Sequence, residues 1–373
     1  MRIVALSDLD FQGSGYLNII IPICQGLAEK GHEIKVAGIR YGGDEHTHDF
    51  SIIPCPSIQD SLAVIGNLNQ VWKFDVLLVA LDIPLQREII REIAGRIPTR
   101  DFRYMGIFPI EADPLIMSWA AILSQMNKAF IISEFGANEA RKAGITTAEH
   151  LVIGVDTGAW RPPTEKERSR FRTALDLEDD FVILTIADNQ ERKHLSAAFE
   201  ALEIVDQTHH NFKYLMVTRP DMPLGYDLDE LALRFGVQDR FMKFGRGLDY
   251  FRLWSLYAAS DAFLLTSKAE GLSMPILEAM SVGLPVLATG CTAILDHLEE
   301  NRGFPIDYAY KIIDPFGNGN RYFIDPYSIS SVLCGLMDGK YRHDKEAALK
   351  YIQSRQWENT IKQIDDVLQE WEE

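Results

Sequence analysis

The chain reads as an α/β protein built from two doubly wound parallel-sheet domains. Three observations predict this. Short, fully apolar runs alternate with segments of helical periodicity. The alternation runs once, halts at a proline-bearing stretch without periodicity, and then restarts. The length, 373 residues, exceeds one ordinary α/β domain and suits two of roughly 150–200 residues each.

Taken in order, residues 2–6 predict a buried strand, 7–15 a polar loop, and 16–30 an apolar-periodic helix that Gly31 stops. The next strand is expected at 32–39, with further strands at 76–80, 103–108 and 129–133. A helix over 134–143 is closed by Gly144. The stretch GVDTGAWRPP, 154–163, reads as a hinge between domains, and the basic run 161–172 as a solvated linker helix. Strand 181–187 restarts the pattern. It continues with helix 194–206, strand 212–218, helix 228–235, strand 240–244, helix 250–259, strand 262–265, helix 274–282 and strand 285–288. The last helix, about 357–371, is acidic on one side and carries Ile361, Ile364, Val367 and Leu368 on the other. Such a helix needs a surface, and docking on the first domain would tie the halves together. The predicted domains are 1–160 with 355–373, and 161–354.

Composition narrows the partners. Apolar residues make up 47%, enough for two cores, and the net charge of −17 disfavours nucleic acid and anionic lipid. No run approaches the roughly 20 apolar residues of a membrane-spanning helix. The opening MRIVALSDLD has acids where a signal peptide would stay apolar. Cys24, Cys55, Cys291 and Cys334 lie far apart, with no metal or redox spacing. A reduced, cytoplasmic protein with cysteines as core fillers is expected.

The most informative stretch is EGLSMPILEAMSVGLPVLATG, 270–290. It follows a strand, so Glu270 and Gly271 are placed at the carboxyl edge of a sheet, where open α/β sheets bind ligands. Ser273 suits an N-cap and Pro275 a first helical turn. The N–H groups of Leu272, Ser273 and Met274 then face the crevice and favour a phosphate. Glu278 projects near the same helix end, and its carboxylate can accept two bonds from a vicinal diol such as a ribose.

The E-x7-E pair, Glu270 to Glu278, followed by GLPVLATG, resembles the donor-site signature of the retaining GT-B glycosyltransferases of family 4. The similarity extends over most of the chain. Gly13-Ser14-Gly15 before a helix ending AEKGH, GVDT at 154–157, and Arg192-Lys193 after a strand all resemble segments of that family. The resemblance implies a GT-B fold: two Rossmann-like domains facing a cleft, with a C-terminal helix crossing back. It implies transfer of a sugar from a nucleotide diphosphate, UDP or GDP, to a glycan, lipid-linked or small-molecule hydroxyl, with retained configuration. In that reading the first domain takes the acceptor and the second the donor. Glu270 holds sugar hydroxyls and Glu278 the ribose. Arg192, Lys193 and the amides of Gly271, Leu272, Ser273 and Met274 hold the diphosphate. Gly15 lets backbone approach a diphosphate or the acceptor closely, and the segment at Phe244 contacts the base.

Arg192 and Lys193 supply the positive charge that a divalent metal supplies elsewhere, so neither metal nor cofactor is expected. The family usually has its arginine earlier in this loop. Many relatives also place a histidine near 106–114, where this chain has none; Glu111 is the best substitute. A dinucleotide fingerprint would need glycine at Asn18. Two D-x-D triplets, Asp8-Leu9-Asp10 and Asp227-Leu228-Asp229, are read as loop or helix-start acids rather than metal ligands. The alternatives are a nucleotide-sugar epimerase of related fold and a non-catalytic nucleotide-sugar-binding subunit.

Overall fold

The computed structural model describes residues 1–10, 15–96, 101–315 and 318–372. Gly13 and Ser14 lie outside these residues. The chain divides into two compact units, Met1–Gly154 with Arg355–Glu373, and Val155–Ser354.

The first unit opens with β1 (Arg2–Asp8), α1 (Leu17–Glu29), β2 (Glu33–Ile39) and β3 (Ser51–Cys55). It continues through α2 (Ile58–Val71), β4 (Val76–Ala80), α3 (Ile83–Arg96), β5 (Arg103–Phe108), α4 (Met117–Leu123), β6 (Lys128–Ile131), α5 (Glu134–Lys142) and β7 (Ala148–His150). The seven strands form one parallel sheet in the order β3-β2-β1-β4-β5-β6-β7. β1 and β4 are buried nearly throughout because helices cover both faces of such a sheet. β3 is missing from the sequence reading because Pro54 interrupts it. As an edge strand it tolerates a residue with no N–H to donate.

The second unit begins with α6 (Glu165–Ala174), β8 (Phe181–Ile186), α7 (Leu195–Asp206), β9 (Phe212–Thr218), α8 (Leu228–Arg234) and β10 (Phe241–Gly245). Then come α9 (Tyr250–Ala259), β11 (Ala262–Leu265), α10 (Met274–Val282), β12 (Val286–Thr289), α11 (Thr292–Leu298) and β13 (Phe304–Ile306). A hairpin of β14 (Tyr308–Ile313) and β15 (Asn320–Ile324) follows, then α12 (Pro326–Met337) and α13 (Lys345–Gln353). Its parallel sheet has the order β10-β9-β8-β11-β12-β13. In both sheets the order reverses once, between β1 and β4 and between β8 and β11. The chain leaves these neighbouring strands in opposite directions, which opens a crevice at their carboxyl ends.

The expectation of a solvated helix over 161–172 is corrected. Arg168 donates to the Ala258 and Ser260 carbonyls and pairs with Asp261 at 2.6 Å. Arg172 reaches Asp261 at 2.9 Å and the Ala259 carbonyl. The two arginines neutralise the carbonyl-rich end of α9, so α6 is fastened to the second unit.

α14 (Trp357–Glu372) returns to the first unit and packs on α1. Ile364 and Leu368 are buried there, and Asp365 accepts from the His32 imidazole at 2.8 Å and Lys30 at 3.1 Å. Gly26 of α1 makes the approach possible: a Cβ there would lie 2.0 Å from Ile361. The four cysteines are unbonded, three of them buried. Among the described residues no helix is long and apolar enough to cross a membrane.

Candidate active site

The second unit's switch point brings the key residues together. The loop after β8 carries Asp188 to His194, with a short 3-10 turn at Glu191–Lys193. The loop after β11 carries Thr266 to Ser273. The two are laced by backbone: Lys268 N–H donates to the Arg192 carbonyl at 2.9 Å, and the Thr266 hydroxyl to the Lys193 carbonyl at 2.8 Å.

Glu270 is 5% exposed and receives Lys193 Nζ at 2.5 Å on one oxygen and Arg192 at 3.2 Å on the other. Burial works to raise its pKa, but the Lys193 and Arg192 charges outweigh it and hold the acid at about 2. Arg192 also donates to the Ala269 carbonyl at 2.6 Å. The group is therefore an ionised carboxylate with two cations at the mouth of α10. Lys268, beside it, lies over the Phe323 ring at 4.2 Å and pairs with Glu191. Burial lowers its pKa to about 8.

Pro275 sits in the first turn of α10. Ser273 is corrected: it occupies the N-cap position, but with φ 72° and ψ 79°, and its side chain makes no capping bond. The turn is shaped by backbone anchors behind it rather than by the hydroxyl. The first N–H groups of a helix have no intrahelical partner; Ser273 and Met274, at the N-cap and first helical positions, supply them here, with Leu272 just before.

Glu278, on α10, is buried and accepts the Tyr257 hydroxyl of α9 at 2.7 Å. Burial raises its pKa to about 7, opposed by the Tyr257 bond and the Arg246 charge. Trp160 packs edge-on against both Tyr250 and Tyr257. Arg246, just past β10, donates to Asp188 at 2.7 Å, and Arg219, just past β9, grips the same acid with two bonds of 3.0 and 2.7 Å. Sequence reading passed over Asp188, Arg219 and Tyr257, and took Arg246 only as part of a backbone segment at Phe244. Charged residues immediately after three successive strands were the available signal. Phe244, next to last in β10, is half-buried.

Gly15 and Glu111 belong to the first unit. Gly15 is exposed, and a Cβ there would meet nothing. Glu111 lies beyond β5, near Tyr16, whose hydroxyl donates to Asp82 at 2.5 Å. Of the D-x-D acids, Asp8 pairs with Arg40, Asp227 caps α8 by accepting from Glu230 N–H, and Asp229 pairs with Lys243.

Comparison with known proteins gives the class. Residues 165–308 match the family described as glycosyl transferases group 1. The chain is 25% identical over 318 residues to the sulfoquinovosyl transferase SQD2 of Arabidopsis thaliana, covering 78% of this chain and 59% of that one. It is 30% identical over 146 residues to the amylovoran biosynthesis glycosyltransferase AmsK of Erwinia amylovora, covering 37% and 34%. The chain thus spans about three-fifths or less of these curated relatives. Among solved structures, Anabaena Alr3699/HepE in complex with UDP and glucose superposes with TM-score 0.77 at 16% identity, covering 99% of this chain and 100% of that one. Sucrose-phosphate synthase from Thermosynechococcus elongatus gives 0.76 at 14%, covering 99% and 98%.

The architecture is therefore the GT-B fold. Over residues 165–308 the second unit is similar to the glycosyl transferases group 1.

Proposed function

We propose that the chain transfers a sugar from a nucleotide diphosphate donor to an acceptor hydroxyl, with retention and without a metal. The observation that carries this is the cationic pair Arg192/Lys193 clamped on Glu270 beside the first amides of α10. A leaving diphosphate gains negative charge as its bond to the sugar breaks, and this place offers two cations and a helix N-terminus to stabilise it. Glu278 accepts the ribose hydroxyls and Glu270 orients a sugar hydroxyl. UDP is the first nucleotide to test, because the HepE structure contains it.

Glu270 has both oxygens on cations, which makes it a poor nucleophile. A front-face displacement follows: the bond from the anomeric carbon to the phosphate oxygen breaks, the acceptor oxygen bonds to that carbon, and the acceptor proton passes to the departing phosphate. The first unit binds the acceptor, with Glu111 at the sheet edge.

The test is nucleoside diphosphate release from UDP-, GDP- and ADP-sugars with a panel of acceptors, run with and without EDTA. Lys193→Ala is expected to lower kcat about 100- to 1,000-fold, as loss of one preorganised donor does elsewhere. Acceptor-independent conversion of the donor would instead mean an epimerase. Donor binding without turnover would mean a binding subunit.

A further inference from the structure

We propose that His297 is a positioning residue of the donor site, turning the Leu272–Ser273 peptide so that the Ser273 N–H is presented to the donor diphosphate. This rests on the donor reading above.

His297 lies on α11 at 1% exposure. Its Nε2 is 2.6 Å from the Leu272 carbonyl oxygen, and its Nδ1 is 2.9 Å from the Tyr351 hydroxyl of α13. A carbonyl can only accept, so Nε2 carries the proton. In the neutral ring Nδ1 then accepts from Tyr351, which fixes the tautomer. Arg302 holds this pair from both sides: its guanidinium lies 4.2 Å over the Tyr351 ring, and its Nε donates to the His297 carbonyl at 2.9 Å.

The consequence follows from peptide planarity. The Leu272 carbonyl and the Ser273 N–H belong to one trans peptide, so they point in opposite directions. Drawing the carbonyl inward to a buried imidazole aims the N–H outward. The same device operates two peptide groups earlier. Ala293 N–H holds the Glu270 carbonyl at 3.3 Å, which turns the Gly271 N–H out, and the Thr292 hydroxyl accepts from Glu270 N–H at 3.0 Å. Both ends of α11 therefore brace the turn. Ser273 needs the brace: φ 72° is a left-handed conformation that a residue with a side chain holds only at a cost of about 1–3 kcal/mol, when its surroundings impose it. An apolar residue would fill the core of α11 without the desolvation cost of a buried imidazole. The histidine's two hydrogen bonds lead to the donor turn and to its own tether.

The test compares a nucleoside diphosphate with its nucleoside on the full chain by calorimetry: UDP with uridine, GDP with guanosine, ADP with adenosine. His297→Leu is expected to weaken the bound diphosphate about tenfold, the worth of one good hydrogen bond to a charged group, and to leave the nucleoside unchanged. His297→Gln, whose amide can still donate to Leu272, should restore affinity to within about threefold of wild type. Tyr351→Phe, which keeps the ring but frees the imidazole, should fall between. A leucine variant that weakens nucleoside and diphosphate alike, or neither, overturns the positioning role. If wild type binds every diphosphate no better than its nucleoside, the donor-site reading itself fails and takes this role with it.

Discussion

Glu278 shows how one side chain can be expensive to fold and useful to bind. Burial raises its pKa from 4.5 to about 7. An acid raised in the folded state contributes stability fully below its unfolded pKa, and that contribution is lost as pH rises through the folded value. Glu278→Gln mimics the neutral acid. It should therefore match wild-type thermal stability near pH 4.5 and exceed it above pH 7, by on the order of 3 kcal/mol. Nucleotide affinity should run the other way, since a ribose diol needs the carboxylate: it should rise with pH through about 7 in wild type and be low and flat in the variant. Parallel stability profiles for the two proteins would remove the buried-acid account. Glu270, Glu278, Arg192 and Lys193 were legible because each sits in a local string whose spacing fixes its place on a loop or helix start. Tyr257, Asp188 and His297 were not. Tyr257 meets Glu278 from 21 positions away and His297 meets Leu272 from 25, while Asp188, in the loop of Arg192, is gripped by Arg219 and Arg246 from 31 and 58 positions away; only the packed fold brings these partners together. Ser273 was legible as a helix-start residue, but its left-handed backbone was not, because the hydrogen bonds that impose it come from α11.

Among the elements, α14 was readable from its own amphipathicity, and its seat is set by small complementary features of α1. Gly26 leaves room for Ile361, with a built Cβ only 2.0 to 3.1 Å from three of its atoms. Gly26→Val should force the helices apart, costing about 1–3 kcal/mol as overpacking does. Denaturant unfolding followed by circular dichroism should move to lower concentration, and an unmoved midpoint would mean α14 is not seated through this contact. α6 was legible as a helix within the basic run 161–172. Its fastening by Arg168 and Arg172 was not, because charge pattern alone cannot tell a solvated arginine from one bound to the carbonyls of a distant helix end. β3 was hidden by Pro54. The β14–β15 hairpin, α12 and α13 follow the donor stretch, where short strands and helices lack the long apolar runs that mark the central sheet.

At the scale of the molecule, two sheets of the same reversed order each open a crevice at their switch point, and the recognisable chemistry gathers at the second. Two cations, a helix start and a buried acid meet there because β8, β10 and β11 all end on one edge of that sheet. The alternation of strands and helices made this architecture readable before any contact was known. The direct measurement is a crystal structure of the chain soaked with the sugar nucleotide it binds best. The account predicts the diphosphate against Arg192, Lys193 and the amides of 271–274, with the pentose hydroxyls on Glu278. A ligand bound elsewhere, with this edge empty, would contradict it.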